Sequence, residues 1–273
     1  MAFMNINKIL EKDFHILTKE DIQQIDAALK KRFFVEYERN DRSAIYAKTQ
    51  TLMAYNSNKI EGSTLTPDQT ASLFDTGVIY NNGETMYVSK DIEEMNGHFL
   101  MFNEMLKTLE QPLSEDIIKK FHYQLKAGVF EDRANGYAIG DYKRRPNMIG
   151  AGMETVQPKE VAAEMSKLIM AYRGEVVHDL ESMARFHAHY EKIHPFQEGN
   201  GRTGRMVLFR ECLYFDLIPV IIKDDTKLEY YRTLRMAQDR KEYVPLMRYF
   251  EGEQAKYYEV LQKFLYEYDE GDM

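Results

Sequence analysis

The chain has 273 residues, 44% of them hydrophobic, enough to bury one large core or two smaller ones. Its 44 acidic against 36 basic side chains leave a net charge of −8, which argues against nucleic acid as a partner, since a duplex binder needs a basic face to displace counterions. The single cysteine, Cys212, excludes an internal disulfide and suits a reducing, cytoplasmic setting.

In chain order, the first eight residues lack the basic region and apolar stretch of a signal peptide. Residues 20–39 carry Ile22, Ile25, Leu29, Phe33 and Phe34 at helical spacing. Residues 43–60 continue with Ile45, Leu52, Met53 and Ile60 and stop at Gly62. Glu61 therefore falls at a helix C-terminus, where the dipole disfavours a carboxylate and a cationic partner would offset the cost. Thr66 and Pro67 open a short helix that Gly77 closes. A loop or small turn over 78–88, with Asn81-Asn82-Gly83, leads to Ser89, which is expected to cap a long helix to Leu109. Its Met95, Phe99, Phe102 and Met105 form a core stripe. Leu113 and Ser114 start another helix, with Leu113 and Ile118 at staple spacing, and Gly128 ends it.

Between 136 and 157 the pattern changes to β-formers around Gly150-Ala151-Gly152. Just before that turn lies a short basic cluster, Lys143-Arg144-Arg145, expected to border an active site. Helices are expected again from Pro158 to about Tyr172, over 179–192 and over 201–215, where Cys212 reads as a buried position. Tyr230 and Tyr231 open a further one, and a last helix, over 244–268, is expected to pack beside the core or between subunits. The longest apolar run, 217–222, includes Pro219 and is far below the roughly eighteen residues of a membrane span, so a soluble protein with no membrane partner is expected. The fold class is all-α with a small β-hairpin, and no repeat or linker divides it.

The chemistry concentrates between His194 and Arg205, in His-Pro-Phe-Gln-Glu-Gly-Asn-Gly-Arg-Thr-Gly-Arg. Gly199, Asn200 and Gly201 can converge backbone N–H groups at a helix N-terminus, a concavity that attracts anionic oxygen. Arg202 and Arg205, three apart, share one helix face and can grip neighbouring phosphates. Glu198 suits Mg²⁺, which binds through one or two carboxylates plus substrate phosphates. His194 is the one group in the run that titrates near neutral pH and so the natural proton acceptor. His187 and His189 precede it, but two residues apart on a helix they point roughly 200° away from each other, and zinc is not expected.

This run resembles the Fic family signature, His-x-Phe-x-(Asp/Glu)-Gly-Asn-Gly-Arg-x-x-Arg, at every specified position. The resemblance implies adenylyl transfer from ATP, with Mg²⁺, to a Tyr, Thr or Ser hydroxyl of a target protein, or of the chain itself. By position, His194 would deprotonate the hydroxyl and Glu198 would hold the metal. Asn200 and the neighbouring backbone would hold the α-phosphate, Arg202 the β-phosphate and Arg205 the γ-phosphate. Doc-type members, which move a phosphoryl group, carry lysine where this chain has Gly201.

Upstream, Ser57-Asn58-Lys59-Ile60-Glu61-Gly62 resembles the family's inhibitory motif, (Ser/Thr)-x-x-x-Glu-(Gly/Asn), placed before the core as in its class II members. That implies that Glu61 pairs with Arg205 in place of the γ-phosphate. The hairpin at about 140–156 resembles the family's flap, with Met148, Ile149 and Gly150 against the target segment. Tyr230 and Tyr231 match the region that covers adenosine; tyrosine's flat apolar face suits a purine, and core packing competes as a role for at least one of the two. The family also self-associates, which implies a homo-oligomer, though no oligomer signal is readable in the sequence. The expected organisation is an N-terminal helical region over 1–110 with the inhibitory helix at about 43–62, a core over 111–246 and a C-terminal helix over 247–273. Two alternatives stay open: a hydrolase that removes AMP using Glu61, and a nucleotide-binding module without turnover.

Overall fold

Capping side chains set several of the helix starts. The computed structural model describes residues 6–79, 87–149 and 153–265. It opens with α1 (Ile6–Leu10), a 3-10 turn (Phe14–Ile16), α2 (Lys19–Arg39), α3 (Ile45–Ile60) and α4 (Pro67–Thr76). Next come α5 (Ser89–Thr108), α6 (Glu115–Lys126), α7 (Phe130–Ala134) and two short strands, β1 (Met148–Ile149) and β2 (Met153–Glu154). The chain continues through α8 (Pro158–Arg173), α9 (Leu180–Ile193), α10 (Asn200–Tyr214), a 3-10 turn (Asp224–Thr226), α11 (Lys227–Arg240) and α12 (Val244–Phe264). The all-α expectation is borne out.

Thr66 and Gln69 form a reciprocal capping box around Pro67, and Gly77, at φ 71°, closes α4 in the left-handed region that glycine adopts without strain. Ser114 and Asp179 accept from the backbone N–H groups of Ile117 and Ser182 and so start α6 and α9. Ser89 is different from its expected role: Val88 occupies the cap without a side-chain bond, and the Ser89 hydroxyl donates to Glu93 at 3.1 Å within the helix. The two five-residue helices, α1 and α7, are too short to show a period in the sequence. Most of the expected loop at 78–88 lies outside the described residues, as do Gly150 and the rest of the hairpin turn. The strands flanking that turn pair antiparallel, Met148 with Glu154 and Ile149 with Met153. Described structure in the last helix ends before residue 266.

α10 is the axis of the molecule. Met206, Val207, Phe209, Cys212 and Leu213 are each 0% exposed, and the helix buries charged residues too, Arg202, Arg205, Arg210 and Glu211 among them, so it is enclosed on every side. α9, α6, α5 and α3 pack around it, and one apolar cluster runs from Ile6 to Leu265. Gly97 lets α5 and α6 cross closely, since a Cβ there would collide with the Leu125 backbone. Among the described residues no helix is long and apolar enough to cross a membrane.

Candidate active site

The His194–Gly199 loop is held as a rigid arch. His194 ends α9 in the left-handed region, at φ 53° and ψ 63°, and its N–H closes on the Tyr190 carbonyl at 3.0 Å. Gly199, at φ 78°, turns the chain into α10. Between them Phe196 is fully buried and stacks on His122 at 3.9 Å. His122 accepts the Gly140 N–H at Nδ1 and donates from Nε2 to the Glu198 carbonyl, which fixes its tautomer. Asn200 closes a two-bond ring with the Phe196 backbone, donating to its carbonyl at 2.8 Å and accepting its N–H at 2.7 Å. Its amide side chain is therefore used in holding the arch, and what it turns toward an anion is backbone. The N–H groups of Asn200, Gly201 and Arg202 head α10 with no intrahelical carbonyl to meet them, at the positive end of the dipole.

Both arginines are buried, each 4% exposed, and both meet α3. Arg205 donates from Nε to Ser57 Oγ at 2.9 Å, and from Nη2 to the Ser57 carbonyl at 2.9 Å and to Glu61 Oε1 at 2.7 Å. The expected pair of Glu61 with Arg205 is thus present. Glu61 caps α3, and Gly62 follows at φ 99°. Burial would raise the Glu61 carboxyl, yet the Arg205 charge first and Arg202 next hold it below the usual carboxylate range. Gly201 faces this pair directly: a Cβ there would strike Glu61 Oε1 and come within 2.8 Å of Arg205 Nη1.

Arg202 has partners that sequence reasoning missed. Its Nη1 donates to Asn58 Oδ1 at 3.1 Å, and its two terminal nitrogens meet the Glu94 carboxylate of α5 at 2.5 and 2.9 Å. Glu94 lies 108 residues away in the chain, and no local motif marks it.

His194 is half-buried, and its pKa is pushed down to about 4, by burial first and then by the Lys143 charge. The ring is therefore neutral at pH 7 and able to accept a proton. Lys143 is buried, unlike its exposed neighbours Arg144 and Arg145, and staples the hairpin base to the arch. Its Nζ donates to Asn147 Oδ1 at 2.7 Å and Thr155 Oγ1 at 2.6 Å, its N–H donates to the Pro195 carbonyl at 2.9 Å, and Asn147 donates to the Phe196 carbonyl at 2.9 Å. Met148, 69% exposed, stands just beyond that staple.

The two tyrosines separate. Tyr230 is 1% exposed, shares a 2.7 Å hydrogen bond with His187 and packs on Tyr249, so it belongs to the core and cannot cover a base. Tyr231 is 44% exposed, its ring lies 5.4 Å from that of Tyr230, and burial and then the Glu61 charge raise its phenol. His189 turns the other way from His187, toward Tyr243.

A nucleotide triphosphate with one divalent cation fits these residues. Free first-turn amides, a glycine cradle that a Cβ would fill and two fixed guanidinium groups suit the phosphates, and the exposed Glu198 carboxylate suits Mg²⁺.

Residues 112–211 match the Fic/DOC family. Among curated proteins the chain is similar to protein adenylyltransferase fic-1 of Caenorhabditis briggsae, 26% identical over 195 residues that cover 70% of this chain and 37% of that protein. Protein adenylyltransferase Fic of Drosophila melanogaster is 28% identical over 193 residues, 68% of this chain and 37% of that one. The chain thus spans 37% of the length of these curated relatives. Among solved structures, a Fic domain containing signaling protein from Bacteroides thetaiotaomicron superposes with a TM-score of 0.71 at 22% identity, covering 88% of this chain and 100% of that chain. Fic-1 from C. elegans gives 0.65 at 21% identity, with 88% and 70% covered. These two share the fold.

Proposed function

We propose that this chain, whose residues 112–211 match the Fic/DOC family, is an autoinhibited protein adenylyltransferase, acting in the cytoplasm on a Tyr, Thr or Ser hydroxyl of a target protein. The target hydroxyl loses its proton to His194 as its oxygen bonds to the α-phosphorus of ATP; the bond from that phosphorus to the bridging oxygen breaks, and pyrophosphate leaves. The α10 amides receive the α-phosphate, Arg202 the β-phosphate and Arg205 the γ-phosphate, so the protein's work is mostly positioning and charge neutralisation. Mg²⁺ held by Glu198 would neutralise further charge on the leaving pyrophosphate. The hairpin at Met148 and Ile149 aligns the target backbone by strand addition. Tyr231 flanks the nucleotide, and Glu61 is the brake, held on the guanidinium that the γ-phosphate needs.

The observation that carries this reading is the convergence of a neutral His194, an open helix N-terminus and two buried arginines on one site, with Glu61 already bonded to Arg205 at 2.7 Å. The test is transfer of label from α-labelled ATP with Mg²⁺. Glu61→Gly should label itself or a partner strongly, the unmodified sequence weakly and His194→Ala not at all. If Glu61→Gly instead abolishes release of AMP from a premodified target, the reaction runs in the hydrolytic direction. Nucleotide binding without labelling in any variant would leave a binding module.

A further inference from the structure

Glu94 takes no part in the reaction as written, yet it is the best-anchored carboxylate near the site. It sits one and a half turns into α5, 7% exposed, its two oxygens meeting the terminal nitrogens of Arg202 at 2.5 and 2.9 Å. On its other side Lys126 of α6 meets the same carboxylate at 2.5 Å, and Lys126 also meets Asp132 of α7 at 2.5 Å. Arg202, Glu94, Lys126 and Asp132 thus alternate in sign and cancel. A buried chain of charges is costly to assemble and is often no more stable than apolar residues of the same shape, so its presence asks for a use other than stability.

The geometry of the guanidinium supplies one. Of its five N–H donors, Glu94 takes one on each terminal nitrogen and Asn58 takes another on Nη1. Nε–H is buried and has no acceptor among the described residues. Fork-to-fork pairing fixes the plane of the group as well as its place. Glu61 differs in kind: it caps a helix, keeps 34% of its side chain exposed and can swing away, whereas Glu94 is held from two sides in mid-helix.

We propose that Glu94 is a positioning residue, which sets the plane of Arg202 so that its remaining N–H donors meet the β-phosphate of a bound nucleotide. This rests on the adenylyltransferase reading, because it presupposes a polyphosphate at the start of α10. A group held within about half an ångström of its working place owes that to such a supporting shell.

ADP and AMP differ by the β-phosphate, and their affinities therefore separate positioning from folding. The measurement is titration calorimetry of both nucleotides with the full chain carrying Glu61→Gly, alone and together with Glu94→Gln. The expected result is ADP binding weakened about tenfold or more by Glu94→Gln, the scale that a misplaced contact group produces, with AMP binding unchanged within about twofold. Glu94→Gln leaves Lys126 and Arg202 both buried with Asp132, beyond Lys126, as the one acid of the chain of charges; if that variant does not fold, Glu94→Gln with Lys126→Gln restores the balance of charge and carries the same expectation. Equal weakening of ADP and AMP, no change in either, or tighter ADP binding would overturn the proposal, the last because it would make Glu94 a competitor of the phosphate. If the Glu61→Gly parent binds neither nucleotide, the functional reading itself fails and takes this one with it.

Discussion

Replacing Glu61 by glutamine keeps the shape of the side chain and removes its charge, and so isolates the electrostatic part of the proposed brake. The pair with Arg205 is 2.7 Å long, with the arginine side chain 4% and the glutamate side chain 34% exposed. A hydrogen bond to a charged group contributes about 1.5–3 kcal/mol, while fully exposed ion pairs contribute about 0.2–1 kcal/mol. One buried and one partly exposed partner place this pair at the low end of the first range, about 1.5 kcal/mol, which is about tenfold in affinity. Because glutamine keeps an acceptor for Arg205, Glu61→Gln should bind a non-hydrolysable ATP analogue more tightly than the unmodified chain by up to about tenfold. Glu61→Gly should gain more, because the carboxylate also fills the space in front of Gly201. Calorimetric titration measures both, with AMP as the internal control, since AMP has no γ-phosphate to present to Arg205. Equal ATP-analogue affinity in all three proteins, or AMP affinity rising in step, would refute the reasoning.

Two further outcomes follow from the geometry. With His194 held at about 4 by burial and Lys143, self-labelling by Glu61→Gly should stay flat from pH 8 to pH 5, passing the ordinary histidine value of about 6.5 without a break; adding Lys143→Met removes a repelling charge and should move the acid limb upward in a pH–rate profile. Gly97→Ala should lower stability by about 3 kcal/mol, or roughly 6–12 °C in Tm by calorimetric scan, because its Cβ would lie 2.7 Å from the Leu125 carbonyl carbon; Gly128→Ala, with nothing within 4 Å, should leave the transition in place.

What the sequence made legible was whatever is written locally. Helix starts at Thr66, Ser114 and Asp179 and the stop at Gly77 depend on bonds within a few residues, and these positions agree with the structure. The His194–Arg205 run was readable for the same reason, since its loop and helix start are contiguous. Contacts that close over long separations left no local mark. Glu94 and Arg202 are 108 residues apart, and Lys143 lies 50 from the Ile193 carbonyl that it meets at 3.5 Å. Tyr230 and Tyr231 show a second limit: adjacent identical residues whose rings lie 5.4 Å apart differ in burial, one hydrogen-bonded to His187 in the core and the other 44% exposed. Asn200 shows a third, since a side chain typed as an anion donor is consumed by its own loop.

On the proposed reading, the same structure also says what has to move for the brake to lift. α3 buries Ile45, Tyr46, Met53 and Ile60, each at most 7% exposed, and withdrawing the helix would return four large apolar side chains to water at about 1.5–3 kcal/mol apiece. It would also break the Thr49–Tyr257 hydrogen bond at 2.7 Å and the bond from Asp224 N–H to Asn56 at 3.0 Å. The backbone beyond the helix is tied as well: the Thr64 N–H and hydroxyl donate to Asp91 of α5 at 2.6 and 2.7 Å. Against that sum of at least about 6 kcal/mol, turning the Glu61 side chain away from Arg205 costs about 1.5 kcal/mol. The cheaper motion wins by a wide margin, so α3 stays docked and the switch is a single side chain at its end. A relieving signal then needs only to offer the Glu61 carboxylate a better partner than Arg205, or to offer Arg205 a better anion than Glu61, and ATP itself is such an anion at high enough concentration.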